Sequence, residues 1–154
     1  MLNPDFRDML SAFNAERVEY LVVGAYAMAQ YGYVRATGDL DFWIHRTPEN
    51  ADRILGALAA FGAPRGLVKR SHLLKPDIVV QVGVEPSRVD ILTSIDGVKF
   101  EAAYKARTET EVGGVRVPFV SLAHLIQNKR APGRERDQSD VAMLQAATKR
   151  RKAR

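Results

Sequence analysis

Apolar positions along this chain keep two different periods, and the changes of period mark out its elements. Phe6, Met9, Leu10 and Phe13 recur at the spacing of one helical face and predict an opening helix over about residues 4–16. Glu19-Tyr20-Leu21-Val22-Val23 is a short apolar run closed by Gly24, the pattern of a buried strand. A short helix is predicted from Ala25 to Gly32. Asp39-Leu40-Asp41-Phe42-Trp43-Ile44 then alternates, which predicts a strand with two unlike faces.

Thr47-Pro48 supplies a capping side chain and a proline at the first helical position. The helix it opens carries Ala51, Ile54, Leu55, Leu58 and Phe61 on one stripe and stops at Gly62. Residues 63–76 give weak signals and are expected to include a mobile loop. Strands are predicted at 77–82 and 88–92, and a short helix at 100–107. Thr110-Glu111-Val112 and Val115-Arg116-Val117 flank Gly113-Gly114 as a two-residue hairpin. Two closing helices, about 121–131 and 135–148, are split by Pro132-Gly133. This order predicts an α+β fold, a mixed β-sheet flanked by helices.

Composition narrows the class. The 154 residues, 46% hydrophobic and 27% charged, suit one folded domain, taken here as residues 1–148. No apolar run approaches the ~20 residues that cross a bilayer, and Met1-Leu2-Asn3-Pro4-Asp5 lacks the layout of a secretory signal. Cysteine is absent, so disulfides and zinc–thiolate sites are excluded. A cytoplasmic protein with no membrane partner is expected. The net charge of +5 resides in Lys149-Arg150-Arg151-Lys152-Ala153-Arg154, a basic tail over 149–154 that leaves the rest neutral. That tail suits a polyanion such as RNA, or equally a solvated terminus.

The candidate chemistry lies in three acids. Asp39 and Asp41 share one face of their strand, ~6.6 Å apart at the rise of a β-strand, while Leu40, Phe42 and Ile44 share the other. Two such carboxylates repel each other and resist desolvation, and a divalent cation relieves both effects. Oxygen ligands favour Mg²⁺ (or Mn²⁺) over softer-ligand metals. Asp90 lies between Val89 and Ile91 in a second apolar strand. If that strand adjoins the first, the acids converge as two-metal phosphoryl transfer requires. Taken singly, an Asp-x-Asp pair also fits a solvated sheet edge, and Asp90 also fits a partner for Arg88.

Gly24 follows a strand and precedes a helix, where backbone amides gather and attract phosphate. No Gly-x-Gly-x-x-Gly and no Walker lysine loop is present. The segments Leu21-Val22-Val23-Gly24-Ala25-Tyr26-Ala27, Arg35-Ala36-Thr37-Gly38-Asp39-Leu40-Asp41 and Val89-Asp90-Ile91-Leu92 resemble the DNA polymerase β-type nucleotidyltransferase superfamily. More narrowly, the chain is similar to small bacterial nucleotidyltransferase-like proteins related to abortive-infection toxins. Leu125-Ile126-Gln127-Asn128-Lys129-Arg130 and the stretch to Asp140 resemble that group's closing helices.

The resemblance implies a nucleotidyltransferase fold and a Mg²⁺-dependent transfer of a nucleoside monophosphate from an NTP, with ATP the expected donor. It implies that Gly24 and Ala25 meet the triphosphate, that Asp39 and Asp41 bind both metals, and that Asp90 binds the catalytic metal and accepts the proton of the attacking hydroxyl. Ala25 departs from the usual Gly or Ser and brings no hydroxyl. That leaves open a second reading, a nucleotide-binding module of weak or no turnover, possible as one half of a toxin–antitoxin pair.

Other residues carry paired readings. Lys129 lies beside the apolar stripe of Leu125 and Ile126, where its ammonium reaches either a triphosphate or solvent. Arg35 suits a phosphate or Asp39. Trp43 shares the acids' face, so it stacks on a base or belongs to the core. Asp137 and Asp140 read as first-turn acids suited to a helix dipole. His45, His72 and His124 lack metal-ligand spacing. The acceptor stays open between protein, RNA and small molecules, and so does a second subunit or partner chain completing the site.

Overall fold

The protein is described here by a computed structural model covering residues 2–34 and 38–152. Its elements run α1 (Pro4–Ala15), β1 (Tyr20–Val23), α2 (Gly24–Gln30), β2 (Asp39–Ile44), α3 (Pro48–Phe61), α4 (Arg70–Leu73), β3 (Val79–Val82), β4 (Arg88–Leu92), α5 (Phe100–Lys105), β5 (Thr108–Val112), β6 (Val115–Phe119), α6 (Leu122–Arg130) and α7 (Glu135–Lys152). One six-stranded sheet, ordered β3-β4-β2-β1-β6-β5, carries the fold. It is mixed: β2–β4 and β1–β6 pair parallel, while β1–β2, β3–β4 and β5–β6 pair antiparallel. The expected α+β class is the class observed.

Local chemistry sets the helix ends. The Asn3 side chain accepts from the Asp5 N–H at 2.8 Å, with Pro4 opening α1. Thr47 accepts from the Asn50 N–H at 3.2 Å to open α3, which stops at Gly62 with φ +97°. Asn50 itself is buried, and its amide joins the helix to the strands. It accepts from the Glu19 N–H at 2.7 Å and donates to the Glu19 and His45 carbonyls at 3.0 and 2.8 Å.

The two faces of β2 lead to different surroundings. Leu40, Phe42 and Ile44 are buried in the core, where the Phe42 ring lies 4.8 Å from Phe13 of α1 and 4.8 Å from Tyr20. On the opposite face Trp43 is buried against Phe100 of α5, ring to ring at 5.1 Å. Trp43 therefore belongs to the core and has no face open to a base.

Three stretches differ in detail from the expected elements. The weak stretch 63–76 contains the single turn α4, held inward by buried Val68 and Leu73. Lys69, Arg70, Ser71 and His72 between them broke any apolar period. The third strand starts at Val79 rather than 77, because Asp77 has φ +59° and its N–H donates to Ser94 Oγ at 2.8 Å. Helix α7 continues to Lys152, into the basic segment. No helix among the described residues is long and apolar enough to cross a membrane.

Candidate active site

The register of three strands assembles the acids. Parallel pairing of β2 with β4 sets Asp39 level with Arg88 and Asp41 level with Asp90. On its other side Asp41 is level with Val23, the last residue of β1 before the Gly24 bend. Level residues on neighbouring strands lie ~4.8 Å apart. Asp41 thus stands between Asp90 and Gly24, with Asp39 two residues back on the same face.

Gly24 is required by both conformation and space. Its φ is +71°, and a Cβ added there would lie only 2.1 Å from Asp41 Oδ2. The carboxylate rests directly against the glycine backbone. Ala25 follows as a half-buried residue of α2, packed on the core.

Burial raises the affinity of two of the acids for protons. Asp41 is pushed up to about 6, chiefly by burial, then by the nearby charges of Asp90 and Asp39, with Arg88 and Lys129 opposing. Asp90 is also raised, by burial first, although Arg88 pulls against it. Arg88 lies across this cluster. Its Nη2 donates to Asp39 Oδ2, its Nε donates to Asp90 Oδ1 at 3.1 Å, and Nη2 also reaches Asp90 Oδ2 at 3.4 Å. Asp39 and Asp90 turn toward the guanidinium. Among the described residues no trio of His, Cys, Asp or Glu is drawn together as metal ligands.

A hollow of about 260 Å³ opens beside Asp41, lined also by Gly24, Asp77, Asp96, Asn128 and Lys129. It shares Ser94 and Ile95 with a polar hollow of about 550 Å³ that includes Arg46 and Lys99. An apolar hollow of about 520 Å³ beside Leu58, Leu67 and Val68 holds none of the three acids. Asp41 and Lys129, not size, single out the smaller one; Asp39 and Asp90 do not line it.

Lys129 is held from behind. Its Nζ lies 3.1 Å from Asp140 Oδ2 and 3.8 Å from Asp137 Oδ1, both on α7 and both buried. Arg134 Nε donates to Asp137 Oδ2 at 2.6 Å, and this bond is the main reason that Asp137 titrates below the usual carboxylate range. Asp137 is a first-turn acid, but Asp140 lies beyond the first turn, so a dipole role does not account for it. Asp140 serves the lysine, and Asp137 is shared between Arg134 and Lys129.

Of the residues singled out in the sequence, Gly24, Asp39, Asp41 and Asp90 come together, and Lys129 faces Asp41 across the hollow. Arg35 lies outside the described residues. Asp77, Asp96 and Asn128 line the hollow without having been anticipated. Only Asp77 carried a signal, as an acid after Pro76 at a strand start. Two of the histidines have protein neighbours: His45 stacks on Phe100 at 4.8 Å between Glu19 and Glu101, and His124 Nδ1 lies 3.0 Å from the capping Ser121 Oγ.

No curated protein matches the chain by sequence. Among solved structures, a Thermotoga maritima protein described as a "putative nucleotidyltransferase" superposes with a TM-score of 0.62 at 17% identity, covering 92% of this chain and 93% of that one. At that identity the likeness speaks for a shared fold. The profile of the family called nucleotidyl transferase of unknown function (DUF2204) matches residues 3–154, and the chain belongs to that family.

Proposed function

We propose that the protein transfers a nucleoside monophosphate from an NTP, with ATP the expected donor, to an acceptor hydroxyl. The reading rests on one observation: Asp41 is level with Asp90 on a parallel neighbour and lies against the Gly24 bend. The donor set is all carboxylate, and Asp41 holds a proton more readily because of its burial first and the charges of Asp90 and Asp39 second, both of which a divalent ion relieves. Asp39, Asp41 and Asp90 would hold Mg²⁺ or Mn²⁺. Such ions supply a more acidic hydroxyl on the acceptor and neutralise charge on the departing pyrophosphate.

The chain's own groups do the rest. Asp90, a stronger base than an ordinary carboxylate because of its burial, takes the hydroxyl proton. The acceptor oxygen bonds to the α-phosphorus as the bond to the bridging oxygen breaks, and pyrophosphate leaves. Lys129, fixed by Asp140 and Asp137, presents positive charge to that leaving group. The smaller hollow accommodates phosphates, and the adjoining polar hollow offers room for the nucleoside or the acceptor.

The test is incubation with α-labelled NTP, Mg²⁺ and a cell lysate. Wild type is expected to label an acceptor and Asp41→Asn to fail, while equal labelling by both removes these acids from the reaction. The packed methyl of Ala25 favours a second reading, a nucleotide-binding module without turnover. Calorimetric binding of ATP and Mg²⁺ with no labelled product in any lysate fraction would select it.

A further inference from the structure

We propose that Arg88 is an internal counter-ion that must release Asp90 before a divalent cation can bind, so that metal and nucleotide bind cooperatively. This inference rests on the reading of Asp39, Asp41 and Asp90 as metal ligands. Arg88 engages both oxygens of Asp90, through Nε at 3.1 Å and Nη2 at 3.4 Å, while Nη2 also donates to Asp39 Oδ2. A two-pronged guanidinium uses the same carboxylate lone pairs that a chelated metal would use. Guanidinium and metal are therefore competitors for Asp90.

The arrangement follows from register. Arg88 sits level with Asp39 and two residues before Asp90 on the same strand, so its side chain leaves the same face and lies across both acids. It is one-quarter exposed, with the 67% exposed Glu85 carboxylate 3.9 Å from Nη1, so a way out toward solvent exists. Guanidinium also binds phosphate oxygens in the same two-pronged manner. An incoming triphosphate offers Arg88 a replacement anion, freeing Asp90 for the cation. Metal then favours nucleotide by the same factor by which nucleotide favours metal.

The experiment measures Mn²⁺ binding to the whole chain by electron paramagnetic resonance, with and without an α,β-methylene ATP analogue. Wild type is expected to bind Mn²⁺ weakly alone and more tightly with the analogue. Arg88→Gln is expected to bind Mn²⁺ about tenfold more tightly without nucleotide and to lose most of the analogue's effect. Unchanged or weakened Mn²⁺ affinity in that variant overturns the proposal. Should Arg88→Gln fail to fold, Arg88→Lys decides, because an ammonium keeps the charge without the two-pronged contact. Affinity above wild type supports the proposal, and affinity at or below it overturns it. If wild type binds Mn²⁺, Asp41→Asn abolishes that binding and Arg88→Gln changes nothing, only the role of Arg88 falls. If wild type binds no Mn²⁺ with or without the analogue, the metal reading fails and this proposal with it.

Discussion

Two clusters of charge flank the same hollow and are built differently. Behind it, Asp137 and Asp140 meet Lys129 and Arg134, two acids against two cations, with both carboxylates buried. In front, among the described residues, the Arg88 guanidinium pairs with Asp39 and Asp90, and Lys129 opposes the raised proton affinity of Asp41. The rear cluster is balanced, and Asp137 titrates low. In the front cluster Asp41 and Asp90 titrate high, raised first by burial. Balance suits a scaffold that fixes one lysine. Carboxylates that hold protons too readily suit a place where positive charge arrives from outside.

Substitutions in the two clusters are therefore expected to act in opposite directions. The largest effect belongs to the front: Asp41→Asn should lower nucleotidyl transfer on the order of a thousandfold, measured as label transferred from α-labelled NTP. A variant that keeps its activity would erase the distinction between the clusters. Next comes the rear, where Asp140→Asn leaves Lys129 without its nearest carboxylate and should cost about 3 kcal/mol in urea unfolding. No loss would show the rear cluster to be dispensable.

A smaller effect sharpens the contrast by reversing sign. The folded-state pKa of Asp41, about 6, exceeds its ordinary value of 3.8. The contribution of Asp41 to stability is thus full below about pH 4 and lost as pH rises through 6. In EDTA above pH 7, Asp41→Asn should stabilise the fold on the order of 2 kcal/mol, allowing for partial exposure. At pH 4 that gain should vanish. The rise in Tm caused by Mg²⁺ should grow over the same window, since metal and proton compete for one carboxylate. Smallest of all, Arg70→Ala removes an exposed pair with Asp52 at 2.8 Å and should change stability by less than about 0.5 kcal/mol. A larger loss there would mean that exposure is a poor guide to which ion pairs matter in this chain.

Much of the fold was legible because its signals are local. The cap at Thr47, the stops at Gly24 and Gly62, and the alternation of residues 39–44 act within a few residues. Turn α4 was not legible, since its hold on the core depends on a few scattered residues, Val68, Leu73 and the half-buried Leu74. Within the site, the shared face of Asp39 and Asp41 followed from strand geometry. The level pairing of Asp41 with Asp90 did not, because β3 precedes β4 in the chain while β4 is the neighbour of β2 in the sheet. The tie between Lys129 and Asp140 was hidden for a similar reason. It bridges two helices whose relative angle is set by packing, and a helix-dipole role was the only local account available for Asp140.

By itself the sequence determined which residues are apolar, where most helices and strands lie, and that two acids must leave one strand on one side. These follow from dihedral preferences and side-chain periods, which act over a few residues. Only the tertiary structure decided that β4 lies parallel to β2, that Asp41 rests on Gly24, and that Arg88 and Lys129 approach the acids from two directions. Those contacts join residues tens of positions apart. Their spacing is set by how sheet and helices bury their apolar faces together, and no short stretch of the chain carries that information.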